Sequence, residues 1–327
     1  MKRQIVLVVD ELKETSNIAD ITRNDWEGNS AEQTLRLEQT LRKIAPVIRY
    51  IGPQEFQLHI KQHLNDIIFP MYYGSASPTS KGLVPALCET NNIDYIGADL
   101  YAQTICNDKS LSKLYASNFG IHSADGVLLR CPINIENVIP QISLLHLPLI
   151  VKPNFGGGST GISDNSLAHS YQEAAILACE LYKNLDIPVL VEEYIEGYEV
   201  ELIVAGNQQS IHFCEEVQVL IDEREYFEED IWGFESKSID DSKIDFCISS
   251  YISEKDRKNL KRLFQSFNKL EMIRFDGRVH DNIFYLLELS PDCYLGDDCA
   301  FYFAFENKGY SHAEMFEFLI NMSLNHD

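Results

Sequence analysis

The sequence predicts an α/β protein of two to three domains. Strand and helix patterns alternate over the first 96 residues, an apolar strand at 149–153 runs into a glycine-rich loop, and strand patterns recur between residues 188 and 289. Alternation of strands and helices is typical of a parallel sheet. A chain of 327 residues that is 45% hydrophobic can bury the large core that such an architecture requires.

The first 96 residues predict a βαβ-like arrangement. Residues 5–9 form an apolar run typical of a buried strand, and Ser30 with Gln33 forms a capping box that starts a helix through about Ile44. The next strands are expected at 46–51 and in the stretch that begins at residue 66. We therefore expect a parallel sheet that ends near residue 96.

Later elements follow from the same patterns. Residues 97–187 predict a helical linker, strands that flank the glycine-rich loop, and a helix from Ser170 to Lys183. Residues 223–245 have poor periodicity and many acids, which favours a mobile loop, either a lid over a binding site or an ordinary surface loop. The other expected elements are strands at 189–193, 199–205 and 211–219, a helix from Ser253 to about Leu270, a strand pair at 272–289, and a last helix capped by Ser311 with Glu314.

Charge and cysteine usage limit the classes of partner and compartment. Asp and Glu number 50 against 27 Lys and Arg, so the net charge is −23, and neither nucleic acid nor an anionic membrane is an expected partner. The N-terminal MKRQIVLVVDE reaches an acid after too few apolar residues for a signal peptide, and residues 142–151 are too few to span a bilayer. Eight cysteines without CxxC spacing favour reduced thiols in a cytosolic protein.

Residues 149–163, LIVKPNFGGGSTGIS, carry the most specific signal. A cation at a strand end, followed by glycines whose N–H groups can point at anionic oxygens, suits the binding of polyphosphate. Gly156, Gly158 and Gly161 also fit the GxGxxG dinucleotide fingerprint. However, the next helical pattern begins only near Ser170, and the next acid on a strand, Glu192, lies farther from the glycines than the roughly 20 residues that this fingerprint requires. No Lys-Ser/Thr follows Gly161, which excludes a P-loop, and a mobile glycine hairpin remains the alternative.

A second signal is a carboxylate pair on neighbouring strands. MIRFDGRVHDNIFYLLELSPD (272–292) contains Asp276 on one predicted strand and Glu288 on the next, with Ser290 on the same face as Glu288. Two carboxylates and a neutral oxygen form a site of hard oxygen ligands, which suits Mg²⁺ held with nucleotide phosphates. The alternative is a solvated acidic strand pair.

The order of the lysine loop, an acidic hinge at 188–202 and the carboxylate pair resembles the ATP-grasp superfamily, and in particular its D-alanine–D-alanine ligase branch. The resemblance covers some 290 residues. It implies a Rossmann-like parallel sheet in residues 1–96, followed by the two lobes of the ATP-grasp fold, with ATP between them. The central lobe with the glycine-rich loop would span 97–187, and the C-terminal lobe with the metal and acceptor sites would span 188–327.

The resemblance also implies a set of nucleotide-binding residues. Residues 91–121 are similar to the family's "IPYxGs…DKxxtK…aGI" segment, and 152–161 align with its "VKPxxxGSSxG" loop. FESKS at 234–238 resembles the family's "YexKY" loop, so its lysine would reach the γ-phosphate. The implied ATP-binding residues are Lys109, Lys152, Gly157, Gly158, Ser159, Glu192, Glu193, Ile195, Glu199 and Lys237.

Catalytic, metal-binding and substrate-binding residues follow in the same way. Arg274 matches the arginine that stabilises the tetrahedral intermediate, and Glu32 matches the glutamate that holds the first substrate's ammonium group. The catalytic set implied by the family is Arg274, Lys237, Gly158 and Ser159, and the Mg²⁺ ligands are Asp276, Glu288 and Ser290, for one or two ions, with Mn²⁺ as the alternative metal.

Three departures from the family pattern concern the substrates. Ser290 replaces the asparagine of the family's E-x-N, and MYYGSASPTSKG (71–82) replaces its His-Gly and Gly-Glu-Asp-Gly motif. SPDCYLGDDCA (290–300) replaces the acceptor segment, so Cys299 stands in place of the serine that holds the acceptor carboxylate, beside Asp297 and Asp298. Two adjacent acids would repel a carboxylate, so the amine acceptor is expected to carry additional positive charge or to lack a carboxylate.

The sequence therefore predicts an ATP-dependent carboxylate–amine ligase that forms an amide bond through an acyl phosphate, on small molecules other than pairs of D-alanine. An authentic D-alanine–D-alanine or D-Ala-D-X ligase and a catalytically impaired ATP-binding protein of the same fold remain open. An NAD-type dehydrogenase is a further alternative, although it leaves the carboxylates of Asp276 and Glu288 without a role. The resemblance also implies a homodimer.

Overall fold

The computed structural model describes residues 3–10, 27–158, 161–162, 164–229 and 244–324. Its N-terminal part contains the predicted parallel sheet, in the strand order β2-β1-β3-β4. The central strand β1 is buried along its whole length, as its run of β-branched and leucine residues requires. The strands are β1 (Ile5–Val9), β2 (Val47–Ile51), β3 (Ile67–Met71) and β4 (Asp94–Tyr95).

Helices α1 (Ala31–Leu41), α2 (Gly52–His59) and α3 (Leu83–Asn91) connect these strands. The predicted capping box is present at α1, where the side chains of Ser30 and Gln33 each accept the other's backbone N–H. The helix ends at Leu41 instead of the expected Ile44. Pro46 follows, and a proline disfavours helical backbone at the residue before it, so the chain turns before entering β2.

The central part contains a second, antiparallel sheet in the order β5-β8-β6-β7. The predicted helix after Ser170 is observed as α7, which begins at Tyr171 and ends at Leu185. Helix α6 was not predicted, because Pro140 lies inside it and interrupts its pattern. The elements are α4 (Leu100–Asn107), α5 (Lys109–Ser117), β5 (Gly126–Leu129), α6 (Ile135–Ile142), β6 (Leu149–Pro153), β7 (Leu167–Ala168), α7 and β8 (Val189–Glu193).

A third sheet, also antiparallel, has the order β12-β10-β9-β13-β14, with β11 paired to β9. The predicted strand pair at 272–289 forms a hairpin whose turn residues Asp281 and Asn282 both have positive φ, as a type I′ turn requires. The strands are β9 (Gly197–Gly206), β10 (Ile211–Ile221), β11 (Tyr226–Phe227), β12 (Ile244–Ile248), β13 (Met272–His280) and β14 (Ile283–Ser290).

Three helices complete the C-terminal part: α8 (Glu254–Phe264), α9 (Ala300–Asn307) and α10 (His312–Leu324). Helix α8 ends earlier than the expected Leu270, and α9 was not predicted. One buried cluster joins residues of β1 and β3 to Phe301 and Phe305 of α9 and Phe316 of α10. The C-terminal helices therefore pack on the N-terminal sheet and bring the end of β14 close to it. Among the described residues, no helix combines the length and apolar character needed to cross a bilayer.

Candidate active site

A cavity of about 130 Å³ lies between the second and third sheets. Strands β6 and β8 form one wall, and β9, β13 and β14 form the other. The cavity brings together most of the residues that the sequence singled out, although they lie more than a hundred residues apart along the chain. Its lining includes Lys109, Lys152, Gly158, Glu192, Glu193, Ile195, Glu199, Arg274, Asp276 and Glu288.

Glu192 holds two lysines at the base of this cleft. Its Oε2 lies 2.6 Å from the Nζ of Lys152 at the end of β6, and its Oε1 accepts a hydrogen bond from the Nζ of Lys113 on α5. All three side chains are buried. Burial and the positive charge of Lys152 lower the pKa of Lys113 to about 7 in spite of Glu192, whereas the two lysines outweigh burial and lower the pKa of Glu192. Two lysine side chains are thus held beside the glycine-rich loop.

Lys113 was not among the predicted site residues. The signal that could have identified it is its position at the end of the DKSLSK segment, one helical turn after Lys109. Asp108 caps α5 by accepting the N–H of Leu111, and this cap fixes the start of the helix that carries both lysines.

The glycine-rich loop is fastened to the start of α5. Lys109 donates its backbone N–H to the carbonyl of Asn154 and its Nζ to the carbonyl of Gly156. The N–H of Gly156 donates to Asn107 Oδ1 at 3.0 Å.

Gly156, Gly158 and Gly161 have φ values of 88°, 65° and 74°, a region that favours glycine. Among the described residues, a 3₁₀ turn at Asp164–Ser166 follows the loop and the next α-helix, α7, begins only at Tyr171, so the dinucleotide interpretation is not supported. Ser159 and Lys237 lie outside the described residues.

The predicted metal ligands occupy adjacent strands. Asp276 on β13 pairs directly with Glu288 on β14, beside a register shift at Gly277, and Ser290 donates its hydroxyl to Asp276 Oδ2 at 3.1 Å. Both carboxylates interact with cations: Arg274 donates to both oxygens of Asp276, and Lys109 Nζ lies 3.3 Å from Glu288 Oε1.

The pKa values of the two carboxylates shift in opposite directions. Burial raises the pKa of Asp276, with Arg274 opposing it, while Lys109 and neighbouring lysines outweigh burial and lower the pKa of Glu288. Two adjacent carboxylates with a hydroxyl oxygen are a donor set that fits Mg²⁺ or Mn²⁺. Within the described ranges, no cluster of three or more His, Cys, Asp or Glu side chains has the geometry to bind a metal ion, so the proposed set has only two acidic ligands.

The hinge between β8 and β9 is organised by Arg278, which the sequence interpretation missed. Its Nε and Nη2 donate to Glu199 Oε2 at 3.1 and 2.9 Å, and its Nη1 donates to the carbonyl of Ile195 at 2.8 Å. Glu193 accepts the N–H of His146 at 2.8 Å. The predicted hinge residues thus line the cleft. Arg278 could have been identified from its spacing of two residues from Asp276, because this spacing puts both side chains on one face of β13.

A larger cavity of about 530 Å³ adjoins the first. Gly158, Glu201, Arg274 and Glu288 line both, so the two spaces are direct neighbours beside the glycine-rich loop. Acidic side chains outnumber basic ones in its lining. The charged lining residues are the acids Glu27, Glu201, Glu288, Asp292, Asp297, Asp298 and Glu306 and the bases Lys81 and Arg274.

The predicted acceptor acids line this cavity, but they are not unpaired. Arg36 on α1 lies 3.1 Å from Asp297 Oδ1 through Nη1 and 3.1 Å from Asp298 Oδ2 through Nη2. Contact of these acids with a substrate stays a prediction. Arg36, which lies about 260 residues earlier in the sequence, offsets part of the charge on which that prediction depends.

Cys299 and Glu32, whose contacts with substrate stay predictions, lie in different settings. Cys299 lies in the lining, but its Sγ accepts the N–H of Tyr302 and caps α9, and burial raises its pKa to about 12. A neutral thiol that serves as a helix cap is a poor partner for a substrate carboxylate. Glu32 is exposed on the first turn of α1, whereas its neighbour Gln33 and the earlier Glu27 line the cavity.

Comparison with known proteins shows a consistent similarity. Residues 123–321 match the family model described as the D-ala D-ala ligase C-terminus. The D-alanine–D-alanine ligase of Chlorobium phaeovibrioides is 36% identical over 160 residues, which cover 47% of this chain and 42% of that protein. The D-alanine–D-alanine ligase of Acetivibrio thermocellus is 26% identical over 268 residues, which cover 79% of this chain and 68% of that protein. The chain spans about half the length of the first curated relatives that it matches.

Solved structures resemble the whole chain. D-alanine–D-alanine ligase from Bacillus anthracis, complexed with ATP, has a TM-score of 0.72 and 15% identity, with 98% of this chain and 97% of that chain covered. VanG D-Ala:D-Ser ligase from Enterococcus faecalis has a TM-score of 0.68 and 16% identity, with 99% and 100% covered. These matches confirm the predicted α/β architecture with its N-terminal parallel sheet and ATP-grasp lobes.

Proposed function

The chain belongs to the D-ala D-ala ligase C-terminus family, and from this membership we propose that it is an ATP-dependent ligase that joins a carboxylate to an amine. The observation that carries the proposal is the convergence of Lys109, Lys152 and the Asp276–Glu288 pair on one cleft beside the glycine-rich loop. Cations and loop N–H groups bind a polyphosphate, and a carboxylate pair binds the metal ion that accompanies it.

In the proposed complex, Lys109, Lys152 and the N–H groups of the glycine-rich loop bind the phosphates of ATP. Glu193, Ile195 and Glu199 form the hinge that receives the adenine and ribose, and Arg278 fixes the orientation of that hinge. Asp276, Glu288 and Ser290 would hold Mg²⁺, which neutralises phosphate charge when bound. Lys237 and Ser159 remain proposed contacts of the γ-phosphate from the resemblance alone.

The proposed reaction has two steps. A carboxylate oxygen of the acid substrate attacks the γ-phosphorus, the bond to the β,γ-bridging oxygen breaks, and ADP leaves. The amine nitrogen then attacks the carbonyl carbon of the acyl phosphate, phosphate leaves with the C–O electron pair, and the nitrogen loses its proton to that phosphate. Arg274, whose guanidinium lines both cavities, would stabilise the oxyanion of the tetrahedral intermediate.

We further propose that the substrates are not two molecules of D-alanine. A cavity of about 530 Å³ lies within the range of roughly 300–1,000 Å³ that is typical of pockets for ligands of drug size. Its acidic lining favours a positively charged acceptor. Arg36 pairs with Asp297 and Asp298, and Lys81 pairs with Glu27 and Asp292, so this preference comes from the excess of acids over bases in the whole lining and not from one pair of carboxylates.

D-alanine–D-alanine ligation is the second candidate, favoured by the names of the curated relatives. Release of ADP from ATP and Mg²⁺ should be measured over a matrix of carboxylic acids and amines, with D-alanine alone as one arm and product masses determined by mass spectrometry. We expect an amide from a pair other than two D-alanines. Efficient formation of D-alanyl-D-alanine would establish the second candidate, and nucleotide binding without ADP release from any pair would indicate an impaired enzyme.

A further inference from the structure

Lys81 is a buried cation that the proposed reaction does not yet use. It lies in a short 3₁₀ turn, Ser80–Gly82, within residues 71–82, which replace the family's His-Gly and Gly-Glu-Asp-Gly motif. Its side chain is only 7% exposed, although it lines the larger cavity. The Nζ lies 2.7 Å from Asp292 Oδ2 and 2.9 Å from Glu27 Oε2. These carboxylates outweigh burial and raise the pKa of Lys81 further, so the ammonium group stays charged.

Glu27 connects this ammonium group to the glycine-rich loop. The same Oε2 that lies beside Lys81 accepts the backbone N–H of Gly157 at 2.9 Å. One carboxylate oxygen thus bridges a buried ammonium and a loop N–H. A lysine and a backbone N–H that converge on one oxygen form an anion-binding site, and here the anion comes from the protein itself.

We propose that Lys81 and the N–H of Gly157 bind the carboxylate of the acid substrate, and that Glu27 occupies this position until the substrate displaces it. This inference rests on the proposed function, because it assigns a site to the acid substrate of that reaction. Exchange of one carboxylate for another leaves the charge around Lys81 unchanged, and Asp292 remains as its second partner. Gly158, the next residue of the loop, lines both cavities, so a carboxylate held at Gly157 lies next to the phosphate cleft.

The proposal makes opposite predictions for two variants of the full chain. Glu27→Gln weakens the internal competitor and is expected to tighten carboxylate binding several-fold. Lys81→Met removes the cation, and because a hydrogen bond to a charged group contributes about 1.5–3 kcal/mol, binding should weaken by about 10- to 100-fold. Lys81→Arg keeps the charge and is expected to retain part of the affinity. Lys308→Met is the matched control, since Lys308 is half-exposed and pairs with Glu215 away from the cavity.

Binding should be measured by calorimetry with D-alanine and acetate as the carboxylate probes, in the presence of a non-hydrolysable ATP analogue. Unfolding curves of each variant verify that the fold is retained. Tighter binding in Glu27→Gln and weaker binding in Lys81→Met support the site. Weaker binding of D-alanine in Glu27→Gln, with acetate unchanged, would overturn the proposal and assign Glu27 to the ammonium group instead. Absence of binding to both wild type and Glu27→Gln would also overturn it.

The same experiment separates this site from the proposed function. Carboxylate binding that depends on Lys81, without ADP release from any acid–amine pair, would reject the ligase function and leave the anion site standing. ADP release with an unchanged KM for the acid in both Lys81→Met and Lys81→Arg would leave the ligase function standing and reject the site.

Discussion

Arg274 donates to both carboxylate oxygens of Asp276, the residue two positions further along β13, with Nε–Oδ1 and Nη2–Oδ2 distances of 2.6 and 2.8 Å. Both side chains lie on one face of the strand, and both line the smaller cavity between the second and third sheets. The proposed oxyanion-stabilising group and the proposed metal ligand are therefore one partly buried ion pair. A substitution of either residue changes the environment of the other.

Replacement of Arg274 by methionine is expected to lower the free energy of unfolding by about 1–3 kcal/mol, because it leaves Asp276 as a partly buried carboxylate without its main partner. The double variant Arg274→Met/Asp276→Asn should recover most of this loss but none of the ligase activity. Urea unfolding and ADP release measure the two effects. A double variant no more stable than the single one would show that the pair does not act as a unit.

Lys152→Ala is expected to abolish nucleotide-dependent turnover and to leave the fold intact. The fold survives because Glu192 keeps Lys113 as a partner, so no buried carboxylate is left unpaired. The loss of one phosphate-binding cation should weaken ATP binding by about 10- to 100-fold. Titration with ATP and a thermal unfolding curve provide the measurements, and turnover close to that of wild type would show that the glycine-rich loop is not the phosphate site.

The sequence predicted those features that depend on local pattern. The capping box at Ser30, the parallel sheet that begins with 5–9 and the hairpin within 272–290 are set by residues close together in the chain, and the structure contains all three. The proximity of Asp276 and Glu288 could also be predicted locally. Side chains alternate between the two faces of each strand, and the short turn between these two strands puts both carboxylates on one face.

The partners of those residues depend on topology and could not be predicted locally. Glu199 meets Arg278 because β9 and β13 are neighbours in the sheet, and Arg36 meets Asp297 because α9 packs on the N-terminal sheet. Both contacts require knowledge of strand order and domain packing. The prediction for the acceptor acids did not include such a contact, in which Arg36 on an early helix offsets part of the charge of a loop near the other end of the chain.

Lys113 predicts a specific pH dependence of stability. Its pKa is about 7 in the folded protein and has an ordinary value of 10.5, so between these values the unfolded chain binds more protons. The free energy of unfolding should therefore rise with pH from about 7 towards 10.5, by at most about 1.4 kcal/mol per unit from this group. Lys113→Met should remove that part of the slope. Urea unfolding at pH 7, 8 and 9 tests the difference between the two proteins, and identical slopes would assign the titration elsewhere.

Ser290→Asn restores the family's E-x-N pattern and is expected to lower the Mg²⁺ concentration needed for half-maximal activity. An amide carbonyl reaches further than a hydroxyl and is a neutral oxygen ligand that Mg²⁺ accepts. The hydroxyl of Ser290 at present donates to Asp276, so the substitution also releases that carboxylate oxygen. Mg²⁺ titration of ADP release and of the thermal midpoint with an ATP analogue bound gives two independent readings. An unchanged Mg²⁺ dependence in both would exclude Ser290 as a metal ligand.

Arg36 sets how strongly the acceptor loop acts on a charged substrate. Its guanidinium pairs with both Asp297 and Asp298, and all three side chains are more than a third exposed. Because solvent screens the interaction, its effect on the ratio of kcat/KM values for differently charged amines should be about 1 kcal/mol, which is about five-fold. Arg36→Met exposes the two acids and should raise kcat/KM for amines with a second positive charge relative to amines with a carboxylate. Asp297→Asn/Asp298→Asn should lower that ratio, and the triple variant should restore it towards the wild-type value. Competition between a diamine and an amino acid measures the ratio in each protein. The same ratio in all four would place the acceptor away from this loop and leave the other acids of the larger cavity as the source of any preference for cations.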